Sequence, residues 1–293
     1  VIPQASLAAA QQISVATFNL HDFFDAVDDT RTEAEPKPQP GEVQLKQTKL
    51  ARTIGEILKC PTVLAVQEVE NAALLHGLAQ ELEVSCHFRY SVAHEESVDA
   101  RGIDLGLLID PRRVQITSVV TEQSCGPLTT DLVEMGITCP PGQDPLFSRP
   151  PLRVSLEVDD EPYTAIVVHF KSKREGDQET APRRLAQAGV VSRLLLDLFA
   201  DNPNARALVL GDFNDYEKSE TMAHLTGEPV GLFDTSQLIP LDQRYTYNFG
   251  GISQLLDTIL LSPSLAARLV SSQIIHVNAD YPDGWASDNA ILQ

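Results

Sequence analysis

Basic residues are scarce in this chain: 22 Lys and Arg stand against 41 Asp and Glu in 293 residues, a formal net charge of −19. So acidic a balance argues against a protein that grips nucleic acid through a broad positive field. It leaves room for brief contact with phosphates, above all where a metal ion reverses the local sign. Long apolar runs are missing, so no segment reads as a bilayer span and no membrane partner is expected. The first residues, VIPQASLAAAQQ, carry neither a basic stretch nor a long apolar one; they fit what stays behind once a signal peptide is removed. None of the four cysteines forms a CxxC pair, which speaks against a zinc ribbon or a thioredoxin-type motif. There is no internal repeat and no heptad run.

The cysteines do offer an even count. Cys125 and Cys139 bracket a loop-like stretch, CGPLTTDLVEMGITC, and the pairing expected is Cys60–Cys86 with Cys125–Cys139. Four unpaired, buried thiols are the alternative. Disulfides place the chain in an oxidising compartment, secreted or periplasmic. With 43% hydrophobic residues it can bury a substantial core, and residues 1–293 are read as one domain whose core begins near residue 13.

Strand-like runs recur at 13–20, 62–69, 104–110, 153–158, 163–170, 205–212, 255–262 and 272–278. Helical periodicity lies between several of them. Leu50, Ile54, Ile57 and Leu58 share a face over 45–58, and Leu185, Ala188, Val191, Leu195 and Leu198 do so over 182–199, with Pro182 suited to a first turn. Ser262-Pro263 reads as an N-cap and first-turn pair. The alternation predicts an α/β fold with a mixed sheet, because 153–158 and 163–170 are close enough for a hairpin. Residues 27–42 and 121–151 read as long loops.

Polar groups stand where these apolar runs stop. ALVLGDFNDY is continuous in its hydrophobicity up to Gly211, then presents Asp212 and Asn214. Such a run reads as a strand buried on both faces, and a carboxylate at its end is costly unless paired or bound to a metal. A turn that starts the next helix is the plain alternative. The other runs behave alike: SVATFNL brings Asn19, VLAVQEVEN brings Glu68, AIVVHFKSK brings His169 and Lys171, and QLLDTILL holds Asp257. Singly each has a dull explanation; five together suggest one pole of a sheet where acids and amides converge. Carboxylates that hold a divalent ion, amides and a lysine for phosphate oxygens, and a histidine to move a proton make a set suited to metal-assisted phosphate-ester hydrolysis.

ATFNLHDFFD, LAVQEVEN, VVHFKSK, LVLGDFND and LLDTILLS, in this order, resemble the endonuclease/exonuclease/phosphatase superfamily, whose fold is that of DNase I, and within it the secreted bacterial nucleases. The resemblance spans the chain from about residue 13. It implies a four-layered α/β/β/α sandwich, two mixed sheets face to face with helices outside, and a site at one end across their seam. Glu68 matches the family's metal-binding glutamate, and Asn19 an asparagine beside metal and phosphate. His169 matches a histidine that contacts the phosphate or protonates the leaving oxygen. Asp212 matches the aspartate that orients the attacking water, Asn214 a phosphate-holding asparagine, and Asp257 the aspartate that fixes the catalytic histidine's ring. Lys171 and Arg184 are added as phosphate contacts. The cofactor implied is Mg²⁺, with Mn²⁺ or Ca²⁺ as substitutes, and the partner is nucleic acid as substrate, DNA first and RNA second; no obligate protein partner is implied.

Two departures bear on that reading. His21 stands where some relatives place a carboxylate near the metal. The family also closes on Ser-Asp-His and a strand, whereas this chain ends WASDNAILQ. One reading puts Asn289 in the place of that histidine, with Asp288 as a metal ligand. The favoured reading takes these residues as a variable stretch ahead of a closing strand outside this sequence, since Ala290 to Gln293 are too few for a strand of about five or six residues. Two other functions keep part of the pattern. One is a sphingomyelin or inositol-phosphate phosphohydrolase, favoured by the acidity and opposed by the lack of a hydrophobic hairpin suited to lipid; the other is a catalytically impaired binding protein.

Overall fold

Two strand–helix–strand units, one in each half of the chain, set the architecture. The computed structural model describes residues 12–27, 36–127 and 138–277. The first half runs β1 (Val15–Phe23), α1 (Pro40–Arg52), β2 (Val63–Val69), α2 (Ala72–Cys86), β3 (Ser91–His94) and β4 (Asp104–Ile109). Next come β5 (Val114–Thr121), the two-residue β6 (Cys125–Gly126) and β7 (Asp144–Pro145), β8 (Leu152–Val158), β9 (Glu161–His169) and α3 (Asp177–Asp201). The chain continues through β10 (Arg206–Asp212), α4 (Glu220–Thr226) and β11 (Phe233–Asp234). The described residues finish with β12 (Tyr247–Phe249), β13 (Ile252–Gln254), β14 (Asp257–Leu261) and α5 (Pro263–Ala266). One sheet has the order β1-β2-β4-β3 and the other β11-β14-β10-β9-β8-β5. Each is mixed and, among the described residues, has a single parallel pair: β1 with β2, and β9 with β10.

Strand alternation explains why the runs read as continuously apolar. In β2, Leu64 and Val66 face α1 and α2, while Val63 and Ala65 face the opposite sheet. In β10, Ala207 and Val209 face α3 and α4, while Leu208 and Leu210 meet the first sheet. Three apolar layers therefore separate helix, sheet, sheet and helix, which is the expected four-layered sandwich.

Several local expectations need correction. α1 reaches Arg52 and continues as a π-turn over Thr53–Ile57 rather than as one helix to 58. α3 starts at Asp177, so Pro182 lies inside the helix; Thr180 bonding back to the Gly176 carbonyl and Arg184 to Asp177 carry the helix past it. Pro263 opens α5 as foreseen, but the Ser262 hydroxyl accepts from the Ala207 amide instead of capping. Residues 272–277 form no strand: the free edge of β14 is taken by β11, and His276 stacks on Tyr245 with ring centroids 3.9 Å apart. β3, β5 and α2 were not anticipated, although Asn71 caps α2 and Leu74, Leu75, Leu78 and Leu82 carry its periodicity. Both disulfides form as paired from the sequence, Cys60–Cys86 with Cα atoms 5.7 Å apart and Cys125–Cys139 with 5.8 Å. Among the described residues no helix is long and apolar enough to cross a membrane.

Candidate active site

Ligands in open α/β sheets bind beyond the carboxyl ends of parallel strands. Here the carboxyl ends of both parallel pairs meet at one pole of the seam. In the second sheet His169, Asp212 and Asp257 lie in one lateral row, His169 opposite Asp212 and Asp212 opposite Asp257. Counting in twos from Leu208 and Leu210, and from Ala165 and Val167, Asp212 and His169 continue the face that packs on the first sheet. The row is thus the polar end of the inter-sheet core. Gly211 makes the close approach possible, since with φ of +142° any Cβ would run into the Val168 carbonyl of the paired strand.

The first sheet reaches the same point by breaking its own regularity. The β1/β2 and β2/β4 registers slip beside Glu68, which sits at φ +60°, and His21 and Asp22 are also left-handed. Such backbone costs about 1–3 kcal/mol per residue and persists only where surroundings enforce it. The bulge turns Glu68 inward, and its carboxylate accepts from the Asp22 amide at 3.0 Å. Asn19 then spans the seam: its amide nitrogen lies 3.3 Å from a Glu68 oxygen and 3.3 Å from an Asp212 oxygen. Its own oxygen accepts from the His21 amide at 2.9 Å. His169 Nε2 stands 3.7 Å from both carboxylates, beyond hydrogen-bond length.

The electrostatics are unbalanced. Burial, the Asp257 charge and the Glu68 charge push the Asp212 carboxyl well above the ordinary carboxylate range, against the bonds it accepts from Asn214 and Asn19. Burial raises Asp257 to about 6, with Glu68 adding and a Thr246 hydrogen bond opposing. Burial, with the charges of Arg149 and Arg101, holds His169 well below its usual value, so the imidazole is neutral. Two buried atoms, His169 Nδ1 and Asp257 Oδ1, find no hydrogen-bond partner among the described residues. Ligand atoms of His21, Asp22 and Glu68 lie within 4.8 Å of one another. Convergent oxygens with unspent valence and excess negative charge fit a divalent cation.

The sequence model of the endonuclease/exonuclease/phosphatase family matches residues 14–279. The chain belongs to that family. Solved structures agree with it at the level of fold. An endonuclease/exonuclease/phosphatase family protein from Bacteroides thetaiotaomicron is 17% identical with a TM-score of 0.54, over 86% of this chain and 83% of that one. Truncated TDP2 from Caenorhabditis elegans is 15% identical with a TM-score of 0.55, over 85% and 84%. The human Nocturnin catalytic domain with bound sulfate is 16% identical with a TM-score of 0.50, over 82% and 81%. No curated protein sequence matches significantly.

In this family member Asn19, Glu68, His169, Asp212 and Asp257 come together, and Asn214 adjoins them, its backbone amide donating to Asp212 at 2.8 Å and its side chain to the Phe170 carbonyl at 3.2 Å. Two others stand apart. Lys171 pairs with the exposed Glu175 at 2.7 Å. Arg184 is fully buried, with its donors spent on Asp215, Thr180 and Asp177, so a phosphate contact does not fit its placement. Asp288, like Asn289, lies outside the described residues. Sequence reasoning missed a charged collar. Arg101 bonds Asp22 at 3.1 Å, and the buried Arg149 bonds Asp99 at 2.5 Å. Lys173, not Lys171, reaches the Asn214 loop, donating to its carbonyl at 2.7 Å. Asp22 and Lys173 stand within the ATFNLHDFFD and VVHFKSK motifs, and Arg149 is a cation fixed between Ser148 and two prolines just ahead of a strand; Asp99 and Arg101 carried no comparable signal.

Proposed function

We propose that the protein is a secreted, divalent-metal-dependent phosphodiesterase that hydrolyses nucleic acid, DNA before RNA. The observation that carries the reading is the Asn19 bridge, which brings Glu68 and Asp212 from two sheets to a single amide. In this reading Glu68 and Asn19, with Asp22 or His21 beside them, hold Mg²⁺ or a similar ion. When bound, that ion supplies charge neutralisation at the phosphoryl oxygens and lowers the cost of the buried carboxylates. Asp212 orients the attacking water. His169, neutral in its buried setting, donates a hydrogen bond to a phosphoryl or leaving oxygen. Asn214 has one amide proton engaged by Phe170 and offers the other to a phosphate oxygen. Asp257 keeps a buried oxygen for an imidazole or a water. Secretion is supported by the two disulfides, which suit an oxidising compartment.

A phospholipid substrate would use the same chemistry, and one observation favours it: an apolar hairpin, contrary to the expectation from the sequence, does stand exposed beside the site at Tyr247, Phe249 and Ile252. Incubation with plasmid DNA, sphingomyelin vesicles and an inositol phosphate, each with Mg²⁺ or with EDTA, separates the readings. Metal-dependent cleavage of DNA alone is expected; hydrolysis confined to the lipid or the inositol phosphate overturns the assignment, and no hydrolysis of any points to a binding protein.

A further inference from the structure

An enzyme with a net charge of −19 has little electrostatic hold on a polyanion, and a metal site engages only the phosphate next to it. Affinity for the rest of a nucleic-acid chain must then come from contacts that do not depend on charge. The surface beside the site offers such a contact. β12 and β13 form a hairpin, Tyr247 opposite Gln254 and Phe249 opposite Ile252, turned by Gly250 and Gly251 at φ +57° and +80°. Strand alternation puts Tyr247, Phe249, Ile252 and Gln254 on one face. That face is exposed where a core strand would be covered: Phe249 keeps 61% and Ile252 66% of their accessible surface. The rings of Tyr247 and Phe249 are stacked, centroids 6.3 Å apart and planes within 15°.

The hairpin is tied to the catalytic row at its base. The Thr246 hydroxyl accepts from the Leu256 and Asp257 amides at 3.1 and 3.2 Å, and the Thr246 amide donates to the Gln254 carbonyl at 2.8 Å. From there three residues carry the ladder outward by roughly 10 Å. On the chain's other approach to the site, Tyr216 is also exposed and carries Lys173 over its ring at 3.7 Å. Arg244, at the foot of the hairpin, pairs with Glu217 at 2.7 Å and so links the two aromatic regions. Parallel rings leading from a phosphodiester site, with a cation against one neighbouring ring, match the chemistry of unpaired bases, which stack on aromatics whatever their sequence.

We propose that the β12–β13 hairpin is a base-stacking platform, and that the enzyme takes single-stranded DNA, or the frayed ends of duplex, by laying unpaired bases on Tyr247 and Phe249. This rests on the phosphodiesterase reading for its geometry, but it is tested by binding alone. Fluorescence anisotropy in EDTA, where the proposed metal-dependent cleavage is stopped, compares a mixed-sequence single strand, a blunt duplex and an abasic single strand of equal phosphate number. The intact protein is expected to bind the base-bearing strand most tightly. Phe249→Ala should weaken that binding by roughly five- to a hundredfold, Phe249→Trp should retain it, and neither should change binding of the abasic strand. Phe249 is exposed, so the substitutions do not endanger folding; matching thermal melts confirm it. Equal affinity of Phe249→Ala and the parent for the base-bearing strand overturns the proposal. So does a variant that loses only its co-sedimentation with sphingomyelin vesicles, which would make the hairpin a lipid contact. Hydrolysis of bis(p-nitrophenyl) phosphate by the parent protein with Mg²⁺ reports separately on the phosphodiesterase reading, since that substrate has no base to stack.

Discussion

Asp212, the last residue of β10, and Asp215, three residues on in the loop that follows, are both buried, and their carboxyls are pushed in opposite directions. Asp212 lies in the row with His169 and Asp257, where burial and neighbouring acids drive it up. Burial lifts Asp215 too, but hydrogen bonds from Thr221 and Arg184, with the charges of Arg184 and Lys173, outweigh that and hold it below the usual carboxylate range. Arg184 and Lys173 lie 3.0 and 3.3 Å from it. One region thus satisfies its charges and fixes the loop. The other leaves like charges together, two buried atoms without partners among the described residues, and left-handed backbone at His21, Asp22 and Glu68. Structural ionic groups are completed by the protein; a group completed only by metal or substrate looks frustrated without it.

Substitutions at the two aspartates should therefore differ in kind. Asp212→Asn is expected to lower metal-dependent turnover by roughly 10²–10⁴-fold, while its unfolding midpoint stays level or rises because repulsion is relieved. Single-turnover cleavage and thermal melts of the same preparation check both halves.

At Arg184 the expected loss is of fold rather than of chemistry. Arg184→Ala leaves the buried Asp215 carboxylate with Lys173 as its one remaining cation among the described residues and should cost about 3 kcal/mol. The pH dependence has a definite sign. Because Asp215 has a folded value below its unfolded one, its contribution is present above the unfolded carboxylate range, about pH 4, and is lost as pH falls through the folded value. The stability gap between parent and Arg184→Ala should be full at pH 7 and narrow toward pH 3, as read from urea melts.

The smallest of these effects belongs to the Cys125–Cys139 loop, which leads into the segment that carries Arg149 ahead of β8. Replacing both cysteines with serine removes a crosslink of 14-residue separation, worth roughly 3 kcal/mol. Turnover at low temperature should survive in that variant, whereas loss of turnover without loss of stability would place the loop in the chemistry.

How much of this was legible follows from where each residue sits. Asn19, Glu68, His169, Asp212 and Asp257 were readable because each interrupts an apolar strand; register delivers His169, Asp212 and Asp257 to one row, whereas a bulge turns Glu68 toward it. Asp22, Asp99, Arg101, Arg149, Lys173 and Asp215 lie on bulges and loops, where no period constrains direction and only tertiary contact assigns a partner. Arg184 shows the opposite error. A cation near a phosphate-type motif reads as a phosphate contact, yet helix periodicity points it inward, onto Asp215. The strand expected at 272–278 failed because apolar residues such as Ile275 remain partly exposed there and the neighbouring edge is already paired. The hairpin went unseen because strands of three residues leave almost no pattern.

In the reading proposed above, Glu68 and Asp212, brought together from two sheets by Asn19, form one metal-phosphate site. Glu68→Gln tests it most directly, because it keeps the shape of the side chain and removes its charge. Plasmid cleavage would be followed with Mg²⁺, and after EDTA, in the parent and the variant, together with their unfolding midpoints. Cleavage by the parent that EDTA abolishes, none by Glu68→Gln at any Mg²⁺ concentration, and a midpoint unchanged or higher are expected. Full metal-dependent cleavage by Glu68→Gln would contradict that reading.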